Sequence, residues 1–131
     1  MRAVDTNVLV RALVRDDAAQ AARAEALLDE HEVFVPVTVV LELEWVLRSR
    51  YGFAPKLVAQ ALEKMAALGN VVLGERAAVL AAAAKVAQGW EFADALHHAL
   101  SEGCVDFVTL DADLAKRAKR GAKLAPVVTK L

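Results

Sequence analysis

A chain of 131 residues fits one domain, expected here to span 1–131, and can build a core without disulfides or other staples. Hydrophobic residues make up 57% of it, but alanine supplies much of the excess, which points to a helix-rich chain and not a membrane-embedded one. With 16 basic and 17 acidic residues the net charge is −1, which excludes a protein that holds nucleic acid by bulk positive charge. It does not exclude one whose carboxylates recruit metal ions and so reverse the local sign. The longest apolar stretch, Val33 to Leu47, is broken by Pro36, Glu42 and Glu44 and falls short of the roughly 20 residues of a membrane span. A carboxylate already at position 5 does not suit a signal peptide, so the expected location is cytoplasmic. The single cysteine, Cys104, excludes an internal disulfide and a cysteine-based zinc cluster, and reads as a small core residue.

Taken in order, the chain alternates short apolar runs with helical patterns. Strands are predicted at Ala3–Val4, Val33–Val35, Val71–Leu73 and Phe107–Thr109, with a fifth candidate at Pro126–Thr129. Helices are predicted over part of Val8–Val14 and over Asp17–Glu30, Val39–Tyr51, Pro55–Leu68, Glu75–Gln88, Ala93–Glu102 and Asp111–Arg120. Thr38 is the expected cap of the third helix, Pro55 suits a first helical turn, and Gly69-Asn70 suits a helix stop. The alternation predicts an α/β fold, a central parallel sheet of about four to five strands surrounded by helices.

Functional groups in such sheets gather at the carboxyl ends of strands and at the helix starts beside them. Asp5 ends the first strand, Asp111 follows the fourth, and Asp94 opens the helix entered after Gly89-Trp90-Glu91-Phe92. Glu42 falls in the first turn or so of its helix, and its side chain leans back towards the start. Each acid also has a plainer role available. Asp5 and Asp111 could cap helices, and Asp94 shares a polar face with His97, His98 and Ser101. Glu42 and Glu44 flank the apolar stripe of Val39, Val40, Leu43, Val46 and Leu47 on either side, so periodicity does not choose between them. Carboxylates converging from four distant segments would repel unless a cation intervened, and oxygen-rich sites select hard ions such as Mg²⁺ or Mn²⁺. Such ions can support phosphodiester hydrolysis. His97 and His98 lack further ligands at zinc spacing. The run Lys116-Arg117, Lys119-Arg120 and Lys123 could grip phosphates or could be a solvated helix face.

Four blocks carry a family resemblance: Val-Asp-Thr-Asn-Val-Leu-Val from Val4, Pro-Val-Thr-Val-Val-Leu-Glu from Pro36, Phe-Ala-Asp-Ala-Leu from Phe92, and Gly-Cys-Val-Asp-Phe-Val-Thr-Leu-Asp-Ala-Asp-Leu from Gly103. In this order they resemble a PIN domain, and the size and helical content are similar to the VapC toxins of prokaryotic toxin–antitoxin pairs. The resemblance implies an endoribonuclease dependent on Mg²⁺ or Mn²⁺, with Asp5, Glu42 and Asp94 as metal-binding acids. Asp111 or Asp113 would be the fourth, Asp111 being favoured, and Thr6, Asn7 and Thr109 would orient carboxylates or water. It further implies an RNA substrate, a homodimer, and silencing by a VapB-type antitoxin packed against the early helices. The helix Val39–Tyr51 fits such a contact, since one core stripe does not bury Leu41 and Trp45 as well.

Other readings keep the α/β layout. A phospho-receiver would need an acidic pair after the first strand, where Thr6 and Asn7 follow a single acid. A haloacid-dehalogenase-type phosphatase would need a second Asp at position 7, where Asn7 stands. A housekeeping PIN-type RNA-processing nuclease and a non-catalytic binding module complete the alternatives.

Overall fold

The computed structural model describes residues 1–120 and 126–131, so Lys123 of the basic run lies outside the described residues. The elements alternate as the sequence predicts: β1 (Arg2–Ala3), α1 (Thr6–Val14), α2 (Ala18–Glu30), β2 (Val33–Val35), α3 (Val37–Ser49), α4 (Pro55–Ala66), β3 (Val71–Leu73), α5 (Arg76–Val86), α6 (Phe92–Ala99), β4 (Asp106–Thr109), α7 (Ala112–Arg120) and β5 (Val127–Lys130). The fold is α/β with every strand pair parallel, but the strands form two pieces and not one sheet. The first has the order β1-β2-β3, in register Arg2↔Val33 and Val33↔Val71. The second pairs β4 with β5 from Asp106↔Val127 to Thr109↔Lys130. The two-residue β1 pairs with β2.

Central β2 is covered, with Val33 and Val35 wholly buried on one face and Phe34 partly buried on the other. Leu9 and Val10 of α1, Val40, Leu43 and Leu47 of α3, Val58 and Leu62 of α4 and Val79 of α5 complete one core with Leu96 of α6. Local chemistry sets the helix ends. The Asp17 carboxylate accepts the Gln20 N–H at 3.0 Å and caps α2, and Pro55 occupies the first position of α4. Asn70 closes the turn after α4 by donating from Nδ2 to the carbonyls of Leu28 and His31.

Three sequence expectations are corrected here. Thr38 does not cap α3: that place belongs to Pro36, whose fixed φ of −57° precedes the helix and whose carbonyl accepts from Val39 and Val40. Glu42 is consequently in the second turn of α3. Cys104 is exposed and not a core residue, because it falls in the turn that leads into β4. His98 does not share a solvated face with Asp94, for it is 1% exposed and turned into the core. The apolar excess of α3 is split: Leu41 packs half-buried against the core, while Trp45 is 50% exposed. Among the described residues no helix is long and apolar enough to cross a membrane.

Candidate active site

Asp5 follows β1 at the N-cap position of α1, in extended backbone with φ −93° and ψ 177°. Its carboxylate makes no capping hydrogen bond, so helix capping does not explain it. Thr6 beside it is buried, and Asn7 is exposed at the edge of a shallow cleft shared with Arg11 and Arg23. Glu42 and Glu44, equivalent by periodicity, separate by burial. Glu44 is 4% exposed, and its Oε2 accepts from Nε of Arg48 at 3.0 Å. Glu42 faces solvent. The structural acid and the available acid of α3 are therefore different residues.

Asp94 of α6 feels the charge of Asp111 at the β4–α7 junction. Asp94 stands in the first turn of α6, half-buried. Burial raises its carboxyl above the ordinary value, the charges of Glu91 and Asp111 raise it further, and His97 and Arg117 oppose the shift. Asp111 is held by backbone geometry: its N–H donates to Oγ1 of Thr109 at 3.0 Å, and its Oδ1 accepts from the N–H groups of Asp113 and Leu114 at 2.9 and 3.2 Å. The capping role open to Asp111 is thus real, and it aims the carboxylate as well as securing α7. Asp113 is exposed one step into α7, where its backbone serves Asp111.

The four acids come from both sheet pieces. Asp5 and Glu42 follow β1 and β2 of the first sheet piece, whereas Asp111 follows β4 and its charge acts on Asp94 of α6. Neither Asp5 nor Glu42 is among the charges acting on Asp94, and no group of three or more His, Cys, Asp or Glu suited to one metal ion occurs among the described residues. The donor chemistry at Asp94 nevertheless fits a hard cation, because a positive ion would relieve the repulsion that Glu91 and Asp111 exert there.

The PIN-domain model matches residues 2–120. The chain belongs to the PIN-domain family. Searches of curated proteins and of solved structures returned no significant match. PIN domains are in general nucleases, which makes this PIN domain a hydrolase fold for nucleic acid.

Two parts of the neighbourhood are not legible in the sequence pattern used above. Glu91, the N-cap residue of α6, reaches Asp94 by charge, and its spacing of three residues from Asp94 was the available signal. Behind α6, Nζ of Lys85 lies 2.8 Å from Nδ1 of His98, and Nε2 of His98 lies 2.7 Å from the Pro126 carbonyl. A carbonyl only accepts, so the imidazole proton is on Nε2 and Nδ1 accepts from the ammonium. Trp90 covers the ammonium at 4.8 Å, and burial lowers both Lys85 and His98 from their usual values. This PIN domain therefore fixes α6, and with it Asp94, to α5 and to the residue preceding β5.

Proposed function

We propose that this PIN domain is a divalent-metal-dependent endoribonuclease and the toxin of a VapBC-type pair. The observation that carries the reading is Asp94, half-buried in the first turn of α6 in a fold that belongs to nucleases, with its carboxyl raised by burial and by the charges of Glu91 and Asp111. Asp94 and Asp111, with Asp5 and Glu42 brought in from the first sheet piece, would hold Mg²⁺ or Mn²⁺. When bound, that ion supplies an activated water and neutralises charge on the phosphate. The protein supplies position: Thr109 and the start of α7 fix Asp111, and the Lys85–His98 contact fixes the helix of Asp94.

An antitoxin partner is supported by the surface of the early helices. Leu13 of α1, Ala61 and Lys64 of α4 border two adjoining apolar troughs of about 270 and 230 Å³, which also take in Leu57, Leu68 and Phe53. Leu13, Leu57 and Leu68 are exposed, a concentration of apolar surface typical of an interaction site. Trp45 on α3 supports the homodimer in the same way.

The test is single-stranded RNA incubated with the protein and Mn²⁺, then with EDTA. Cleavage that needs the ion and stops with the chelator is expected. RNA left intact in both arms would remove the catalytic reading and leave a binding module. A small DNA-binding protein encoded immediately upstream is the expected sign of the toxin, and its absence would favour RNA processing.

A further inference from the structure

Two of the candidate acids are joined by a run of contacts that does not pass through their carboxylates. Asp94 and His98 stand about one turn apart on α6, so one helix carries both. Nε2 of His98 donates to the Pro126 carbonyl, at the entry to β5. Strand β5 pairs with β4 along its whole length, and beyond its end the Leu131 N–H donates to the Thr109 carbonyl at 2.8 Å. Oγ1 of Thr109 in turn accepts the Asp111 N–H. The helix of Asp94 and the strand pair that leads to Asp111 are thus one tied unit, with His98 between them.

The tie is held from the α5 side by a buried cation. Lys85 forms no ion pair among the described residues. Its ammonium donates to Nδ1 of His98 and lies against the Trp90 ring. Around the imidazole stand Lys85 from α5, Trp90 from the α5–α6 turn at 5.6 Å, Phe107 from β4, edge-on at 5.8 Å, and Pro126 before β5. Lys85 alone among them is charged. The other ionisable groups around α6 are Asp94 and His97 on the helix, Glu91 before it, Glu44 and Arg48 on α3, and Arg117 on α7. None of these is among the charges acting on the ring. A second proton on the imidazole therefore meets no anion to balance it. It consumes the Nδ1 lone pair that the ammonium uses, and sets two like charges at hydrogen-bond distance away from water.

We infer that Lys85 and His98 form a proton-operated latch on the acidic site: closed, it fixes Asp94 against the strand pair that presents Asp111, and a proton on Nδ1 of His98 opens it. Lys85 is a positioning residue in this device, since it acts on the acids only through His98. Opening parts α6 from α5 and slackens the hold on β5, so the two carboxylates lose their fixed relation. The latch is a property of the fold, and only its effect on cleavage rests on the ribonuclease reading.

The test compares the wild type with Lys85→Gln, and its first two arms use neither metal nor RNA. Glutamine keeps an N–H donor for Nδ1 and discards the charge. Nitrogen NMR should show the wild-type His98 protonated on Nε2 alone at neutral pH. Hydrogen exchange at the β4–β5 amides should lose protection as His98 takes up its second proton, by about tenfold per pH unit. In Lys85→Gln, His98 should titrate at higher pH while the loss of protection shrinks, because the closed form then tolerates the proton. The third arm is Mn²⁺-dependent cleavage of RNA over the same pH range. The ratio of variant to wild type should rise as pH falls, in kcat with little change in KM. Titration of the acids is common to both proteins and cancels in that ratio. A wild-type His98 protonated on Nδ1 at neutral pH, or β4–β5 protection indifferent to its titration, overturns the latch without recourse to the variant. So does a variant whose protection falls as steeply as the wild type's. A cleavage ratio that does not move with pH overturns the hold on the acids. RNA left uncut by the wild type, with the first two arms as expected, overturns the ribonuclease reading and leaves the latch standing.

Discussion

The Lys85 ammonium and the His98 imidazole, 2.8 Å apart and both buried, form a contact that requires a neutral histidine. Burial pushes His98 below the usual 6.5, its bond to the Pro126 carbonyl pulls the other way, and the Lys85 ammonium adds a smaller push downward. The folded chain therefore binds this proton less readily than the unfolded chain. The stability involved is complete above about pH 6.5 and is lost as pH falls below it. Lys85, also lowered, has the same sign at higher pH. Thermal melting should weaken from neutral pH to about pH 5, and His98→Ala should cost about 2–4 kcal/mol through a cavity and the loss of its hydrogen bonds. A wild-type midpoint independent of pH over that range would refute the buried neutral imidazole.

The two glutamates of α3 should part company on substitution. Glu42→Gln should remove cleavage and leave melting unchanged. Glu44→Gln should leave cleavage in place and destabilise by about 1–3 kcal/mol, because it takes the charged partner from Arg48. The reverse pattern would transfer the functional role to Glu44.

Asp94 should show opposed effects on stability and activity. A carboxyl raised in the fold withholds stability once ionised, and that stability returns as pH falls towards the ordinary value of 3.8. In EDTA at neutral pH, Asp94→Asn should therefore melt higher than the wild type while losing cleavage. Mn²⁺ at ten times its dissociation constant should add about 1.4 kcal/mol to the wild type. For this chain length that is a melting shift on the order of 3–6 °C, most of which the variant should lose. A wild-type curve unmoved by millimolar Mn²⁺ would count against a metal site.

Asp5→Asn should lower cleavage by more than the roughly 10–100-fold that removal of a ligand's supporting partner costs. Asp111→Asn should be worse than Asp113→Asn, since the backbone around position 111 aims its carboxylate. Near-wild-type cleavage by Asp5→Asn would remove that residue from the site. Equal losses at 111 and 113 would show that both carboxylates serve.

Trp45→Glu should convert a dimer to a monomer in light scattering without loss of folding, because the side chain is already half in solvent. Leu41, half-buried against the core, is the poorer probe. A variant that remains dimeric would move the interface away from α3.

Strands, helices and their alternation were legible because each short apolar run is bounded by breakers and each helix has a buried stripe. The acids at strand ends were legible for the same reason, since chain order places them there. Glu42 and Glu44 could not be separated, because both flank the stripe and only the packed helix decides which meets Arg48. Thr38 misled because threonine favours caps, whereas Pro36 ends the strand with its dihedral already set. Lys85 and His98 were opaque for a different reason: α5 is apolar nearly all round, and a lysine there gives no sign that another helix will offer it an acceptor. The division of the sheet into β1-β2-β3 and β4-β5 depends on backbone pairing, which hydrophobic pattern does not encode.

Asp111 spends Oδ1 on the first amides of α7, so one carboxylate both secures the helix and acts by its charge on Asp94. Whatever draws that side chain outward must loosen the helix start, and whatever steadies the helix start holds the carboxylate ready. Occupancy at the acids should accordingly be written into the hydrogen-exchange rates of the Asp113 and Leu114 amides, some distance in sequence from Asp94 itself. Those two amides are a built-in reporter, readable without any substrate being turned over.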